Sequence, residues 1–99
     1  MPKLTLMEAE QRIKGLTGWT LDGGAIRKQY TFKDFVEAIA FVNCIAPKAD
    51  AADHHPDILI NYKRVTLTYS THSQGGLTEK DFDGARIADG LASAMLKSA

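Results

Sequence analysis

At Lys33 the hydrophobic period of this chain changes, and that switch limits what it can fold into. Before it, Ile26, Lys28, Tyr30 and Phe32 alternate with Arg27, Gln29 and Thr31, the two-residue period of a strand with one mostly apolar face and a lysine exception. After it, Phe35, Val36, Ile39, Val42, Cys44 and Ile45 recur at three-to-four spacing, with Asp34 and Glu37 in the first turn, where acids meet the positive end of a helix. Strand and helix therefore follow one another directly, and the rest of the chain repeats the change. Thr5 and Glu8 form a capping-box pattern that opens a helix running from Leu6 to Leu16 and ended by Gly15 or Gly18. Trp19 to Leu21 and Ala25 to Phe32 bracket Asp22-Gly23-Gly24, a hairpin signal. Pro47 is expected to interrupt the central helix, which could resume as a kinked or restarted segment through Ala52 and end at His54-His55-Pro56. Asp57 to Tyr62 and Val65 to Thr71 read as two strands joined tightly, with His72 on the polar parity of the second, facing away from the core. Ser73 to Gly76 is a loop, and Thr78 begins a last helix whose apolar side carries Ile87, Leu91 and Met95. The order helix, two strands, helix, two strands, helix predicts an α+β fold: a four-stranded antiparallel sheet with three helices packed on one face.

A chain of 99 residues has room for one core, so a single domain over residues 1–99 is expected. Twelve Lys and Arg are balanced by twelve Asp and Glu with no basic stripe, which argues against direct nucleic-acid binding. The one cysteine, Cys44, cannot form an internal disulfide and reads as a packed thiol in a reducing compartment. With no apolar signal core and no run of membrane-spanning length, a cytoplasmic protein with no membrane contact is expected.

All three histidines fall between Asp50 and Asp81: His54 and His55 before Pro56, and His72 after the last strand. Imidazole, with an ordinary pKa near 6.5, both gives and takes protons at neutral pH, so the grouping marks a candidate proton-transfer site. Each residue also has a plainer reading. His54 and His55 could cap a helix end, and Asp81, three residues after Thr78, completes a capping interaction more readily than it catalyses. Asp50 and Asp53 read as solvated acids, yet either could hold an imidazole in one tautomer. A three-histidine metal site is disfavoured because adjacent His54 and His55 converge poorly on one ion. Gly75-Gly76 lacks any nucleotide-binding pattern around it.

Taken together, Asp50, His54-His55-Pro56, Tyr62, Ser70-Thr71-His72, Gly76-Leu77-Thr78 and Asp81, with Phe32-Lys33-Asp34-Phe35 ahead of the central helix, resemble the pterin-4a-carbinolamine dehydratase family, also called the dimerisation-cofactor family. The chain departs from it at Ile58, where many members carry an aromatic. The resemblance implies removal of water from a 4a-hydroxytetrahydropterin to give the quinonoid dihydropterin, recycling the pterin of aromatic amino acid hydroxylases without a cofactor or metal. It places the catalytic histidines at His54, His55 and His72 with Asp81 and Asp50 as acidic supports, Asp81 counted with the catalytic group; Asp50, Asp53, Pro56, Ser70 and Thr71 are the candidate substrate-binding residues. The chemistry suits the residues: one proton goes to the departing hydroxyl and another leaves the adjacent ring nitrogen, and imidazoles can do both near pH 7. The resemblance also implies a homodimer or homotetramer. A competing reading is a non-catalytic adaptor that stabilises a protein partner, an aromatic amino acid hydroxylase or a transcription factor; a weaker one is a relative using another pterin.

Overall fold

The computed structural model describes residues 3–98. Its elements are α1 (Leu6–Ile13), β1 (Thr20–Asp22), β2 (Ala25–Thr31), α2 (Phe35–Ala52), β3 (Asp57–Asn61), β4 (Arg64–Tyr69), a 3-10 turn (His72–Gln74) and α3 (Glu79–Ser98). The strands form one antiparallel sheet in the order β1-β2-β4-β3. Ile26 and Tyr30 of β2 and Val65, Leu67 and Tyr69 of β4 are buried against Phe41 and Ile45 of α2 and Phe82, Ala85 and Ala88 of α3. The α+β fold read from the sequence is the one observed. Among the described residues no helix is long and apolar enough to cross a membrane.

Local chemistry sets the boundaries. Thr5 and Glu8 exchange the reciprocal bonds of a capping box at the start of α1, at 3.1 and 2.9 Å. Gly23, at φ 61°, turns β1 into β2 in a conformation that costs a residue without a Cβ nothing. Asp34 caps α2 by accepting from Glu37 N–H at 2.8 Å. The exception in the alternation of β2 has a partner: Lys28 Nζ reaches the Asp89 carboxylate and the Thr17 carbonyl, each at 3.0 Å. Asp89 also accepts from Trp19 Nε1 at 3.1 Å and from the Tyr30 hydroxyl at 2.5 Å.

Four expectations about the helices are corrected. Pro47 does not interrupt α2, which runs unbroken to Ala52. The proline removes the donor for the Asn43 carbonyl, but both residues are exposed, so water can satisfy that oxygen. Cys44 is exposed rather than packed. The face of α2 that meets the sheet is Ala38, Phe41, Ile45 and Ala49, leaving Phe35 and Val36 outside although they share the apolar pattern. In α3 the buried side is Phe82 with Ala85, Ala88 and Ala92, while Ile87 is exposed and Leu91 and Met95 are only half-buried. Small residues carry that contact because they let the helix axis approach the sheet.

Candidate active site

The C-terminal end of α2 divides the two adjacent histidines between inside and outside. Asp53 ends the helix in the left-handed region, φ 51° and ψ 42°, where an Asp is tolerated better than most side chains. The N–H groups of Asp53 and His54 return to the Ala49 and Asp50 carbonyls, which satisfies the open helix end. The chain then runs through His55 into the half-buried Pro56. His54 turns inward, its side chain 11% exposed, and His55 turns outward at 57%.

Each ring is held by a carboxylate through the same nitrogen. His54 Nε2 lies 2.5 Å from Asp81 Oδ1, and His55 Nε2 lies 2.7 Å from Asp50 Oδ1. The settings differ, since Asp81 is fully buried whereas Asp50 is solvated. Asp81 also performs the structural task read from its spacing. Its Oδ2 accepts from the Thr78 backbone N–H at 2.9 Å, fastening the first turn of α3. The same oxygen accepts from the Thr71 hydroxyl at 2.9 Å, and Thr71 Oγ1 lies 2.9 Å from Thr78 Oγ1. One buried carboxylate thereby ties together the α2–β3 corner, the end of β4 and the start of α3.

His72 follows Thr71 directly but lies outside β4. Thr71 and Gly76 pair across an isolated bridge, and the turn between them, closed by the Gly75 N–H to the His72 carbonyl, carries an exposed His72. It faces away from the core, as its parity predicts, but from a 3-10 turn and not from a strand. Its ring makes no hydrogen bond or ion pair with the described residues. Of the residues read from the sequence, then, His54 and Thr71 both bond to Asp81, one at each carboxylate oxygen; His55 pairs with Asp50; His72 is joined to the cluster only through the backbone of Thr71. Ser70 Oγ donates to the Gly24 carbonyl at 2.7 Å and fixes the turn against the β1–β2 hairpin, and Asp53 is exposed at the helix end.

A cavity of about 270 Å³ opens between α2 and α3, walled by Ile45, Ala49, Ala52, Ile87, Tyr69 and His54, with Lys48, Lys80 and Asp83 also lining it. His55 and His72 are not among its lining residues. Tyr69 stacks near His54, ring centroids 6.0 Å apart and planes 26° apart. Burial, and secondarily the charge of Asp81, push the Tyr69 phenol up to about 12, so it stays a neutral wall. Tyr69 and Thr78 are site residues to which sequence reasoning assigns no role there: Tyr69 stacks near His54, and Thr78 bonds to Asp81 and Thr71. The signal was there for Tyr69, which shares strand parity with Thr71 and so sits next to it on the inner face.

Fold and site together define a small α+β domain built over a buried histidine–aspartate pair. The sequence profile of the family "Pterin 4 alpha carbinolamine dehydratase" matches residues 2–91. A protein of Nostoc sp. (strain PCC 7120 / SAG 25.82 / UTEX 2576) carrying the provisional name pterin-4-alpha-carbinolamine dehydratase is 50% identical over 82 residues, covering 83% of this chain and 88% of its own. A protein of Roseiflexus sp. (strain RS-1) with the same provisional name is 51% identical over 87 residues, 88% of this chain and 94% of its own. A crystal structure from Brucella melitensis, described as a transcriptional coactivator/pterin dehydratase, superposes with a TM-score of 0.87 at 39% identity, covering 91% of this chain and 98% of that one. A pterin dehydratase-like protein described as a RuBisCO assembly factor in the alpha-carboxysome shares the fold, with a TM-score of 0.62 at 21% identity over 75% of this chain and 86% of its own. The chain belongs to the pterin-4-alpha-carbinolamine dehydratase family.

Proposed function

We propose that the chain removes water from a 4a-hydroxytetrahydropterin, giving the quinonoid dihydropterin and so recycling the pterin of aromatic amino acid hydroxylases. The observation that carries this reading is the buried His54–Asp81–Thr71 anchor. His55 leaves one end of it and His72 the other, two exposed imidazoles at adjoining backbone positions. In the reaction the bond from C4a to the hydroxyl oxygen breaks, and a proton delivered to that oxygen lets it depart as water. The lone pair of the adjacent ring nitrogen closes a double bond to C4a, and that nitrogen gives up its hydrogen. One proton enters and one leaves, so an acid and a base suffice. His55 and His72 take these roles, His54 helps orient the ring or relay a proton, and Asp50 and Asp81 hold His55 and His54. Asp53, Pro56 and Ser70 contribute surface around the substrate, and Thr71 contributes its backbone, its hydroxyl being engaged by Asp81.

The test is to follow decay of the carbinolamine absorbance with purified protein and with His55→Ala and His72→Ala. Each variant is expected to lose roughly 10²-fold or more in kcat/KM while remaining folded. Wild-type turnover in both variants removes the proposal. The adaptor reading draws on different residues: Phe35 and Val36 on α2 and Leu6 and Met7 on α1 are large, apolar and exposed. A sample that binds a protein partner and leaves carbinolamine decay at its uncatalysed rate would favour it. Assembly into a dimer or tetramer is part of the same proposal, because β3 is an edge strand with Ile58 and Leu59 exposed, and unpaired edges invite pairing. A monomer by light scattering at micromolar concentration would count against it.

A further inference from the structure

Asp81 does more than a helix cap requires, and the surplus contact comes from another element. Capping α3 needs only Thr78 and Asp81, three residues apart. Thr71, ten residues upstream at the end of β4, adds a hydroxyl to the same carboxylate oxygen from inside the protein.

The directions of these bonds follow from counting hydrogens. A backbone N–H can only donate, so Asp81 Oδ2 accepts from Thr78 N–H. A hydroxyl carries one hydrogen; that of Thr71 goes to Oδ2, so Thr71 Oγ1 must accept the hydrogen of Thr78 Oγ1. Thr78 Oγ1 in turn accepts from the Lys80 backbone N–H at 3.3 Å. Every donor in the chain, from Lys80 through Thr78 and Thr71, points toward Asp81. Oδ2 is taken by two donors, and an ionised carboxylate has no hydrogen of its own to give, so Oδ1 accepts from the imidazole and the hydrogen in the 2.5 Å contact belongs to His54 Nε2. A neutral His54 then has its lone pair on Nδ1. Among the described residues no buried side-chain nitrogen or oxygen lacks a partner, and Nδ1 has none, so Nδ1 reaches accessible space.

We propose that Thr71 and Thr78 are positioning residues of this site: their hydroxyls form a one-way donor chain into Asp81 that holds His54 as the Nε2–H tautomer and leaves Nδ1 as its proton-exchanging nitrogen. The functional part rests on the dehydratase reading; the tautomer does not. On this account Thr71 acts through its hydroxyl hydrogen, so serine can replace it and valine, of nearly the same shape, cannot.

The experiment is long-range ¹H–¹⁵N correlation on histidine-labelled protein without substrate, at a pH where the ring is neutral, for wild type, Thr71→Val and Thr71→Ser. Wild type and Thr71→Ser are expected to give the Nε2–H pattern for His54. Thr71→Val is expected to give a mixture of tautomers and, if the chain is a dehydratase, about a tenfold or greater loss of kcat with KM little changed. An Nδ1–H ring in the wild type overturns the proposal without any variant. A Thr71→Val spectrum identical to wild type also overturns it, and Thr71→Ala serves should the valine protein not fold. The expected spectra together with no turnover in any sample would leave the relay standing and remove the dehydratase reading instead.

Discussion

Two glycines of α3 separate what helix propensity says from what packing says. Gly84 and Gly90 both lie inside the helix, where replacing Gly by Ala ordinarily stabilises by about 0.5–1 kcal/mol through lost backbone entropy. A Cβ at Gly90 would meet nothing within 4 Å, so Gly90→Ala should realise that gain. A Cβ at Gly84 would lie 2.6 Å from Tyr69 Cε1 and 2.9 Å from Cζ, well inside contact distance. Tyr69 cannot easily yield, because its ring is 4% exposed and packed between Trp19 and His54, each about 6.0 Å away centroid to centroid. Overpacking of that kind costs about 1–3 kcal/mol, which offsets or exceeds the helix gain. Gly84→Ala should therefore be less stable than Gly90→Ala by about 1–3 kcal/mol, a separation in Tm of roughly 4 °C or more for a domain of this size. Urea and thermal unfolding of the two variants beside the wild type measure it. If Gly84→Ala is as stable as Gly90→Ala, the close approach of α3 to Tyr69 is not as described. Because the displaced ring stacks near His54, Gly84→Ala should also lower the proposed dehydratase turnover where Gly90→Ala does not.

Further outcomes follow from the titrating and hydrogen-bonded groups. Tyr69 holds its proton to about 12 when folded and loses it near 10 when unfolded, so the folded state binds more protons between these values. Its contribution is then fully present below pH 10 and falls as pH rises toward 12, by about 1.4 kcal/mol per pH unit. Urea midpoints measured across that window should drop, and Tyr69→Phe should flatten the drop; an equal slope in the variant would refute the assignment. Tyr30, buried and donating to Asp89, is raised in the same direction and adds to the fall. Asp89→Ala strips the acceptor from Trp19, Lys28 and Tyr30 together and should destabilise by about 2 kcal/mol, read as a lowered urea midpoint. A midpoint within error of wild type would mean that water replaces the carboxylate at no cost.

Much of the fold is legible in the sequence because it is decided over a few residues. The capping box at Thr5 and Glu8, the hairpin at Asp22-Gly23-Gly24, the change of period at Lys33 and the stop at His54-His55-Pro56 each depend on neighbours within about four positions. The split between His54 and His55 has its cause there as well, since a left-handed Asp53 and an extended residue before Pro56 send consecutive side chains to opposite sides.

The sequence by itself determined the element order, the caps and turns, and the fact that three imidazoles and their acids lie in one third of the chain. Only the tertiary structure decided which side of each helix faces inward, leaving Cys44 and Ile87 exposed, because α2 and α3 carry more apolar positions than the sheet can cover. It alone decided that Asp81 is both a cap and the partner of His54. The cap spans three residues along the chain, whereas the bond to His54 spans 27 and exists only because packing on the sheet brings the end of α2 to the start of α3.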